Sequence, residues 1–229
     1  MSVKSRLSVT VIGNGREKKS KVADLIVQHV QKQLFMALSD AIYAASKRSY
    51  DYAQKKKLDH RATALGYDRH LNLNETIYEV FEANGCNPGK LRGNRIVEGH
   101  SGIFTIVRES YNDNQWKRLF RSKRKQELIA ENVSVEKVVQ PDLFSDGSDV
   151  PKATLFVVCR FSGSLQNQPE APMSIELVVP SSDGKSWVFH EPLELFLTRY
   201  DVVPFQEDNA FSALKKGIIK KDGTEEDDV

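Results

Sequence analysis

The chain contains 229 residues, of which 40% are hydrophobic and 28% are charged, values that are ordinary for a globular protein with its own core. Its apolar runs are too short to cross a bilayer and its first residues lead into no signal-peptide core, so we expect a cytoplasmic protein without a membrane partner. The two cysteines, Cys86 and Cys159, lack zinc-ligand spacing and are expected to be reduced thiols; the sequence predicts no metal and no other cofactor.

The net charge of +2 conceals two halves of opposite sign. Residues 1–130 hold 24 lysines and arginines against 13 acidic residues, whereas residues 131–229 hold 9 against 18. A basic half attracts polyanions such as nucleic acid, and an acidic half repels them. The same division is consistent with two halves that pack against each other, and charge alone leaves both interpretations open.

The N-terminal part is expected to begin with a strand and one long helix. Residues 7–12 alternate like a short strand that ends at Gly13, and apolar residues then recur at helical spacing from about 20 to 57. The second half of this helix, residues 47–57, mixes tyrosines with lysines. Such a mixture can stack on bases and neutralise phosphates, although tyrosines at this spacing more often pack at the edge of a core.

The middle of the chain contains patterns that match functional motifs only in part. Asn74 is placed to cap a helix over residues 75–84. The glycine-containing stretch at 85–91 has the wrong spacing for a phosphate-binding loop, and Leu91 stands where that loop needs a hydroxyl. We therefore expect a turn there.

Two strands are predicted next, at 95–97 and 103–107, joined through the glycines between them. His100 and Ser101 are neighbours in this connection, but adjacent residues of a tight turn rarely face each other as a base and a nucleophile do. The other histidines and acids form no constellation that favours one reaction. The sequence therefore predicts a protein that is not an enzyme.

The densest positive charge lies in a helix predicted over residues 113–131, with Asp113 as its cap. Aromatic side chains are interleaved with its cations, and no base-reading motif is present, so contact would be with the phosphate backbone. The alternative is a solvated helix face. The candidate nucleic-acid-binding residues are Lys117, Arg118, Arg121, Lys123, Arg124 and Lys125.

From residue 133 onward the pattern is that of strands without intervening helices, which predicts an antiparallel meander and an α+β fold overall. Asp183-Gly184 marks a hairpin turn. The predicted strands cover residues 133–139, 153–161, 175–179 and 187–189, and residues 193–200 form either a strand or a short helix.

The expected organisation has three parts, which are either separate units or one continuous domain. They are a basic, mainly helical part over residues 1–131, an antiparallel sheet part over 132–205, and a short helix with an acidic tail over 206–229.

One segment of the sheet part carries the clearest functional signal: Gln140-Pro141-Asp142-Leu143-Phe144, followed by a run of serine, aspartate and glycine. Proline lacks a backbone N–H and has a fixed φ, so the peptide is expected in an extended loop rather than in a helix or a central strand. Two large apolar side chains in such a loop pack either inward on their own domain or outward on a partner.

This peptide resembles the pentapeptide, of the form Gln-x-(Asp/Ser)-Leu-Phe, by which bacterial DNA polymerases and clamp loaders dock on the ring-shaped sliding clamp. The resemblance implies that Leu143 and Phe144 fill a hydrophobic pocket of the clamp. It also implies that Gln140 hydrogen-bonds at the rim and that Asp142 holds the backbone turn. Pro141 stands where that motif often has leucine, and the match covers five residues only.

A second Gln-x-x-Leu-Phe occurs at residues 31–35, within the predicted long helix. Leu34 falls on the buried stripe of that helix, so we expect core packing there rather than docking. The spacing is therefore not specific by itself, and the accessible setting of the later peptide distinguishes the two.

These observations favour a non-enzymatic protein that docks on the bacterial sliding clamp and blocks or modulates DNA replication. In this respect it is similar to the SocB class of clamp-binding toxins, which implies an antitoxin or regulatory partner; an adaptor that rides the clamp would carry the same peptide. The alternative is a nucleic-acid-binding protein that uses residues 116–125 and 47–57, with the peptide buried as core.

Overall fold

A computed structural model describes residues 12–93, 95–112, 119–139, 152–162 and 170–201 of the chain, with the side chains of residues 12–20 and 112 left aside. The helices are α1 (Ile12–His29), α2 (Lys32–Gln54), α3 (Leu58–Ala83), α4 (Lys123–Ala130), α5 (Val133–Val139) and α6 (Leu193–Leu197), which continues into a 3₁₀ turn (Thr198–Asp201). The strands are β1 (Glu98–Ser101), β2 (Phe104–Asn112), β3 (Ala153–Phe161), β4 (Ser174–Pro180) and β5 (Trp187–Pro192). This arrangement confirms the predicted α+β class.

The five strands form one mixed sheet in the order β1-β2-β3-β4-β5. The last three strands form the antiparallel meander that the sequence predicts. Strands β2 and β3 are parallel, because the chain passes through α4 and α5 between them, and a parallel pair needs such a crossover connection. The turn between the first two strands lies at Gly102 and Ile103, so β1 covers residues that were predicted as the connection.

The strand predicted over residues 133–139 is wrong, since these residues form helix α5. Alternating valines are typical of a strand, but Val135 and Val139 lie one helical turn apart and both are buried, while Val133 is exposed. Asn132, fully buried just before the helix, donates to the carbonyl of Pro180 at 2.9 Å and accepts from the amide of Thr154 at 2.7 Å. Tertiary contacts therefore override the local β preference.

The long helix predicted over residues 20–57 is divided into α1 and α2 at Val30 and Gln31. Neither glycine nor proline causes this break. Ser101 donates its hydroxyl to the carbonyl of His29 at 2.8 Å, and the Tyr200 hydroxyl donates to the carbonyl of Val30 at 2.5 Å. Side chains from distant segments thus satisfy the carbonyls at the end of α1, which local sequence cannot reveal.

Helix α3 is continuous through Asn74, so the predicted cap at this residue is wrong. The Asn74 side chain instead connects the helix to the sheet: its Oδ1 accepts from an Arg108 N–H at 2.9 Å, and its Nδ2 donates to the carbonyl of Arg95 at 3.2 Å. The helix ends before Gly85, whose φ of +70° stops it as predicted.

The predicted helix over residues 113–131 is shorter than expected in the part of the chain that the structure describes. Helix α4 begins at Lys123, with Ser122 as its N-cap, and the Ser122 hydroxyl accepts from the amide of Lys125 at 3.4 Å. Leu119 and Phe120, just before it, are buried in a turn. The predicted cap, Asp113, lies outside the described residues.

Both faces of the sheet are covered. Residues of α1, α2, α3 and α5 form the larger core on one face, and Leu128 and Ile129 of α4, with Leu119 and Phe120, cover part of the other face. We call the second face the α4 face. Among the described helices, none combines the length and the apolar character that spanning a bilayer requires.

Candidate docking segment and nucleic-acid surface

The residues predicted to dock, Gln140, Asp142, Leu143 and Phe144, lie outside the described residues, but the structure places the residues on either side of them. Helix α5 ends at Val139, and Lys152 leads directly into β3. The Ser134 hydroxyl donates to the carbonyl of Lys152 at 2.8 Å. The segment that contains the peptide therefore begins and ends on the same short helix.

Lys152 is held by a second contact, since its Nζ lies 2.7 Å from Oε1 of Glu131. The pair is partly exposed, so its contribution to stability is small, but it fixes the position at which the chain returns. The strand that follows is buried from Ala153 onward. Both ends of the peptide-bearing segment are thus attached to rigid elements.

The described residues already supply cover for both faces of β3. Leu155 and Val157 belong to the larger core, and Phe156 packs on the α4 face, where its ring centroid lies 5.1 Å from that of Phe120. These contacts were not predicted individually from the sequence. Apolar side chains of the described residues thus already pack on both faces of this strand.

The second Gln-x-x-Leu-Phe, at residues 31–35, is core as predicted. Leu34 and Phe35 are buried, and the Phe35 ring packs edge-on against Phe196 with a centroid distance of 5.6 Å. Gln31 is the N-cap of α2, with an extended backbone. This copy of the motif is therefore inaccessible to a partner.

The candidate nucleic-acid-binding residues fall into three groups. Lys117 and Arg118 lie outside the described residues. Arg121 and Lys123 are exposed at the beginning of α4. Arg124 and Lys125 are described as well, and both contact acidic residues of the sheet.

Arg124 is bound to Glu98 of β1 through two N–H groups, one of which is Nε at 2.8 Å, and it also reaches Glu127. This bonding to Glu98 raises the pKa of the Arg124 guanidinium above its ordinary value. Lys125 Nζ lies 2.6 Å from Oε1 of Glu109 and is largely buried. Among the described cations of this segment, Lys125 is therefore mostly covered, whereas Arg121, Lys123 and Arg124 are exposed, and Arg124 is also held by an ion pair.

The structure adds a cation that the sequence analysis did not assign to this surface. A cleft of about 500 Å³ separates the strand-leading segment 95–98 from the beginning of α4, and its lining consists of Arg95, Ile96, Glu98, Ser122 and Arg124. Arg95 is exposed. Arg95 is far from residue 121 along the chain, so the sequence does not reveal this proximity. The contact of Glu98 with Arg124 and the packing of Ile96 against the cluster that contains Phe120 bring the two segments together.

We call Arg95, Arg121, Lys123 and Arg124 the basic surface. Three of these residues are not restricted to an internal ion pair, and phosphate oxygens are the ligands that such guanidinium and ammonium groups prefer. Arg92 and Lys90, just upstream, are also exposed. The geometry is that of a surface that can contact a phosphate backbone without reading bases.

The other basic segment, residues 47–57, is engaged with its own neighbours. Lys47 contacts Glu170 and Asp51, and Arg48 donates to the Thr76 hydroxyl at 2.8 Å. Lys56 donates to the Tyr52 hydroxyl at 2.9 Å. These contacts make the segment less suited to nucleic acid than the basic surface.

The structure also shows a polar cluster between α3 and β2 that the sequence did not predict. Arg108 is largely buried and donates to Ser110 Oγ at 2.8 Å and to Asn74, while His70 Nδ1 lies 3.5 Å from it. Burial, together with Arg108, lowers the pKa of His70. Nearby, burial lowers the pKa of Arg69 to about 10, and its guanidinium lies 4.2 Å from the Phe161 ring centroid. The cluster joins helix and sheet.

His100 and Ser101 form hydrogen bonds to different partners rather than to each other. The His100 ring lies 3.3 Å from the Thr105 hydroxyl, and Ser101 donates to the carbonyl of His29. In the described residues, no group of three or more histidine, cysteine, aspartate or glutamate side chains is arranged to hold a metal ion. Cys86 and Cys159 are both buried thiols.

Comparison with known proteins adds no relative: no family model, no curated protein and no solved structure matches the chain.

Proposed function

We propose that the protein binds the bacterial DNA sliding clamp through Gln140, Asp142, Leu143 and Phe144 and thereby blocks or modulates replication. The observation that carries the proposal is the pentapeptide itself, since its residue types and spacing match the clamp-docking motif. No catalytic step is required. Occupation of a pocket that polymerases need is sufficient to inhibit them.

The placement of the flanking residues supports this proposal. Twelve residues, 140–151, connect the end of α5 to Lys152, whose carbonyl is bound to Ser134 near the start of that helix. Ser134 and Val139 are separated by about 7.5 Å along the helix axis, whereas twelve residues can extend about 40 Å. The connection is far longer than its ends require, as is common for segments that contact partners.

The cover of β3 supports it as well. Because the described residues already pack on both faces of this strand, the sheet has no evident need for Leu143 and Phe144 as core. Two apolar anchors at the centre of an interface can supply most of a moderate affinity. The peptide's attachment to α5 and β3 would also limit the ordering cost of binding.

The test is binding of the purified full-length chain to purified clamp, measured by biolayer interferometry. The double variant Leu143→Ala/Phe144→Ala is expected to lose at least about 30-fold in affinity, as two interface anchors do. Gln140→Ala provides a milder second variant. The matched control is Met173→Ala/Leu195→Ala, which truncates two apolar side chains that are 56% and 57% exposed elsewhere on the chain.

The outcomes separate clearly once circular dichroism has established that each variant is folded. Loss of binding in the Leu143/Phe144 variant with retention in the control supports docking. Equal retention of the clamp by the wild type and by both peptide variants contradicts the role of the peptide, and absence of clamp binding by the wild type contradicts the proposal as a whole.

A second candidate function rests on the basic surface: contact with the phosphate backbone of nucleic acid. The approach of Arg95 to Arg124 across the cleft favours it. Fluorescence anisotropy with labelled duplex DNA, between about 50 and 200 mM salt, tests it. Arg121→Glu/Lys123→Glu is expected to weaken binding and reduce the log–log salt slope by about 2, while Lys21→Glu, a reversal at an exposed lysine of α1 on the opposite face of the sheet, changes neither. Binding that is absent or insensitive to salt contradicts this function.

A further inference from the structure

The α4 face of the sheet changes character along its strands. Its first half is apolar, with Val107, Phe156 and Val178 packed under α4. Toward the ends of β2 and β3 the same face becomes polar, since Tyr111 stands directly opposite Arg160 in the parallel register. The polar half continues across the last two strands to Glu176 of β4 and His190 of β5.

Glu176 is the centre of this polar half. The residue is only 6% exposed, and each of its carboxylate oxygens is engaged. Oε2 lies 2.9 Å from His190 Nε2 and accepts from the Tyr111 hydroxyl at 3.4 Å. Oε1 accepts from the Ser174 hydroxyl at 2.8 Å, and Arg160 Nε lies 3.9 Å away. Four side chains from four strands therefore converge on one buried carboxylate.

This carboxylate determines how His190 presents its ring. An ionised carboxylate only accepts hydrogen bonds, so His190 Nε2 is the donor to Glu176, and in the neutral ring it is Nδ1 that carries the lone pair. No side chain in the described part of the chain bonds to Nδ1, and the residue is exposed. The Trp187 ring, with its centroid 5.9 Å away, borders the imidazole. A histidine oriented by a carboxylate and open to solvent has the geometry of a general base.

The surroundings restrict the class of substrate. The serine hydroxyl that the described residues bring to this carboxylate, that of Ser174, already donates to Oε1 of Glu176, whereas His190 contacts Oε2. A reaction at His190 therefore requires a substrate that carries its own nucleophile. Arg160 and the Tyr111 hydroxyl lie beside the pair, and such groups stabilise negative charge that develops on a phosphate.

The basic surface indicates how a longer polyanion would reach this site. Glu98, which binds Arg124, is paired in register with Val107 and so points to the same face. The basic surface thus lies at the β1 edge of the α4 face, and His190 lies on the β5 edge. Four strand spacings separate these edges by about 19 Å, a distance that a short oligonucleotide spans.

We propose that the polar half of the α4 face is an acid–base centre that cleaves RNA, with His190 as general base and Glu176 as its positioning residue. RNA supplies the missing nucleophile, because each ribose carries a 2′-hydroxyl next to the phosphodiester. This activity is independent of clamp docking. It adds a reaction where the sequence alone predicted none.

The step balances without a co-reactant. His190 Nδ1 takes the proton of the 2′-hydroxyl, the 2′-oxygen forms a bond to phosphorus, and the bond from phosphorus to the 5′-oxygen breaks. The proton held by His190 returns to the departing 5′-oxygen, directly or by exchange through water. The products are a 2′,3′-cyclic phosphate and a free 5′-hydroxyl, and Arg160 stabilises the charge on the phosphoryl oxygens in between.

The experiment incubates the purified full-length chain with a short labelled single-stranded RNA in the presence of a chelator and identifies the product ends. We expect cyclic phosphate and 5′-hydroxyl ends from RNA and no cleavage of the all-deoxy strand of the same sequence. His190→Asn is expected to lose at least about 100-fold in rate. His100→Asn is the matched control, an exposed histidine of the same sheet whose ring lies 3.3 Å from the Thr105 hydroxyl.

Glu176→Gln tests the positioning role separately. Its amide keeps the size of the side chain but not the charge that orients His190, so kcat is expected to fall, with the KM for RNA nearly unchanged and the pH–rate profile altered. If His190→Asn does not fold, Glu176→Gln serves as the test of the proposal. The proposal is overturned if the wild type cleaves no RNA, if folded His190→Asn cleaves as fast as the wild type, or if DNA is cleaved equally.

Discussion

Lys125 Nζ lies 2.6 Å from Glu109 Oε1, and the two side chains are only 17% and 10% exposed, so this ion pair joins α4 to β2 inside the protein. In the sequence, Lys125 is indistinguishable from its basic neighbours. In the fold, it neutralises a buried acid, whereas Lys123 two residues earlier remains in solvent. Replacing the two lysines is therefore expected to have different effects on the free energy of unfolding.

Lys125→Ala is expected to lower the free energy of unfolding by about 2 to 4 kcal/mol, because it leaves the Glu109 carboxylate buried without its partner. Lys123→Ala is expected to change it by no more than about 0.5 kcal/mol. Urea denaturation at neutral pH measures both. The double variant Lys125→Met/Glu109→Gln is expected to recover most of the loss, and equal stability of the two single alanine variants would contradict the assigned pair.

A pair of glycines offers a test of the packing between α3 and β1. A Cβ added at Gly99 would lie 2.6 Å from the ring of Phe81, a fully buried side chain. Gly99→Ala is therefore expected to destabilise the protein by about 1 to 3 kcal/mol through overpacking. The measurement is the midpoint of urea denaturation.

Gly66 is the control for that substitution. It lies within α3, and a Cβ there would meet nothing within 4 Å. Gly66→Ala is expected to stabilise the protein by about 0.5 to 1 kcal/mol, since alanine is the better helix former. If both variants shift the midpoint in the same direction, the packing of Phe81 against β1 is not as described.

The pH dependence of stability should report on Glu176. Burial opposes ionisation of its carboxyl, yet hydrogen bonds from His190 and Ser174, with Arg160 nearby, outweigh burial and hold its pKa below the ordinary value. Because the folded-state pKa is depressed, the stabilisation is present above the unfolded-state pKa and is lost as pH falls through the folded-state pKa.

The wild type is accordingly expected to be more stable than Glu176→Gln at neutral pH, and the difference should shrink as the pH is lowered from about 6 to about 3. Thermal denaturation followed by circular dichroism at several pH values measures it. Glu127→Gln, which removes a carboxylate from an exposed pair with Arg124, should follow the wild type. A difference between wild type and Glu176→Gln that stays constant over this range would argue against an ionised Glu176.

Much of the fold follows from local pattern. The helical stripe through Ile26, Leu38 and Ile42 is buried as its spacing predicts. The turn at Asp183-Gly184 connects β4 and β5, with Gly184 at a φ of +68°. These features depend on neighbours within a few residues, and the sequence displays those neighbours directly.

The wrong predictions of helices and strands share one cause. The break between α1 and α2 depends on hydroxyls of Ser101 and Tyr200, more than 70 residues away along the chain. The conversion of the valine run at 133–139 into α5 likewise depends on burial of Val135 and Val139 against the rest of the fold. Where a distant side chain accepts or donates a hydrogen bond at a helix end, or covers an apolar side chain, local propensity no longer predicts the secondary structure.

The sequence by itself determined the division of charge, the α+β class and the position of the candidate docking peptide, because each can be identified from stretches of consecutive residues. Only the tertiary structure decided which cations reach solvent, and only it joined Arg95 to Arg124 and Tyr111, Arg160, Glu176 and His190 to one another. The physical reason is the sheet register: residues 49 positions apart in sequence, such as Phe104 and Ala153, are neighbours across the ladder of β2 and β3, and the chemistry of a face is set by that alignment.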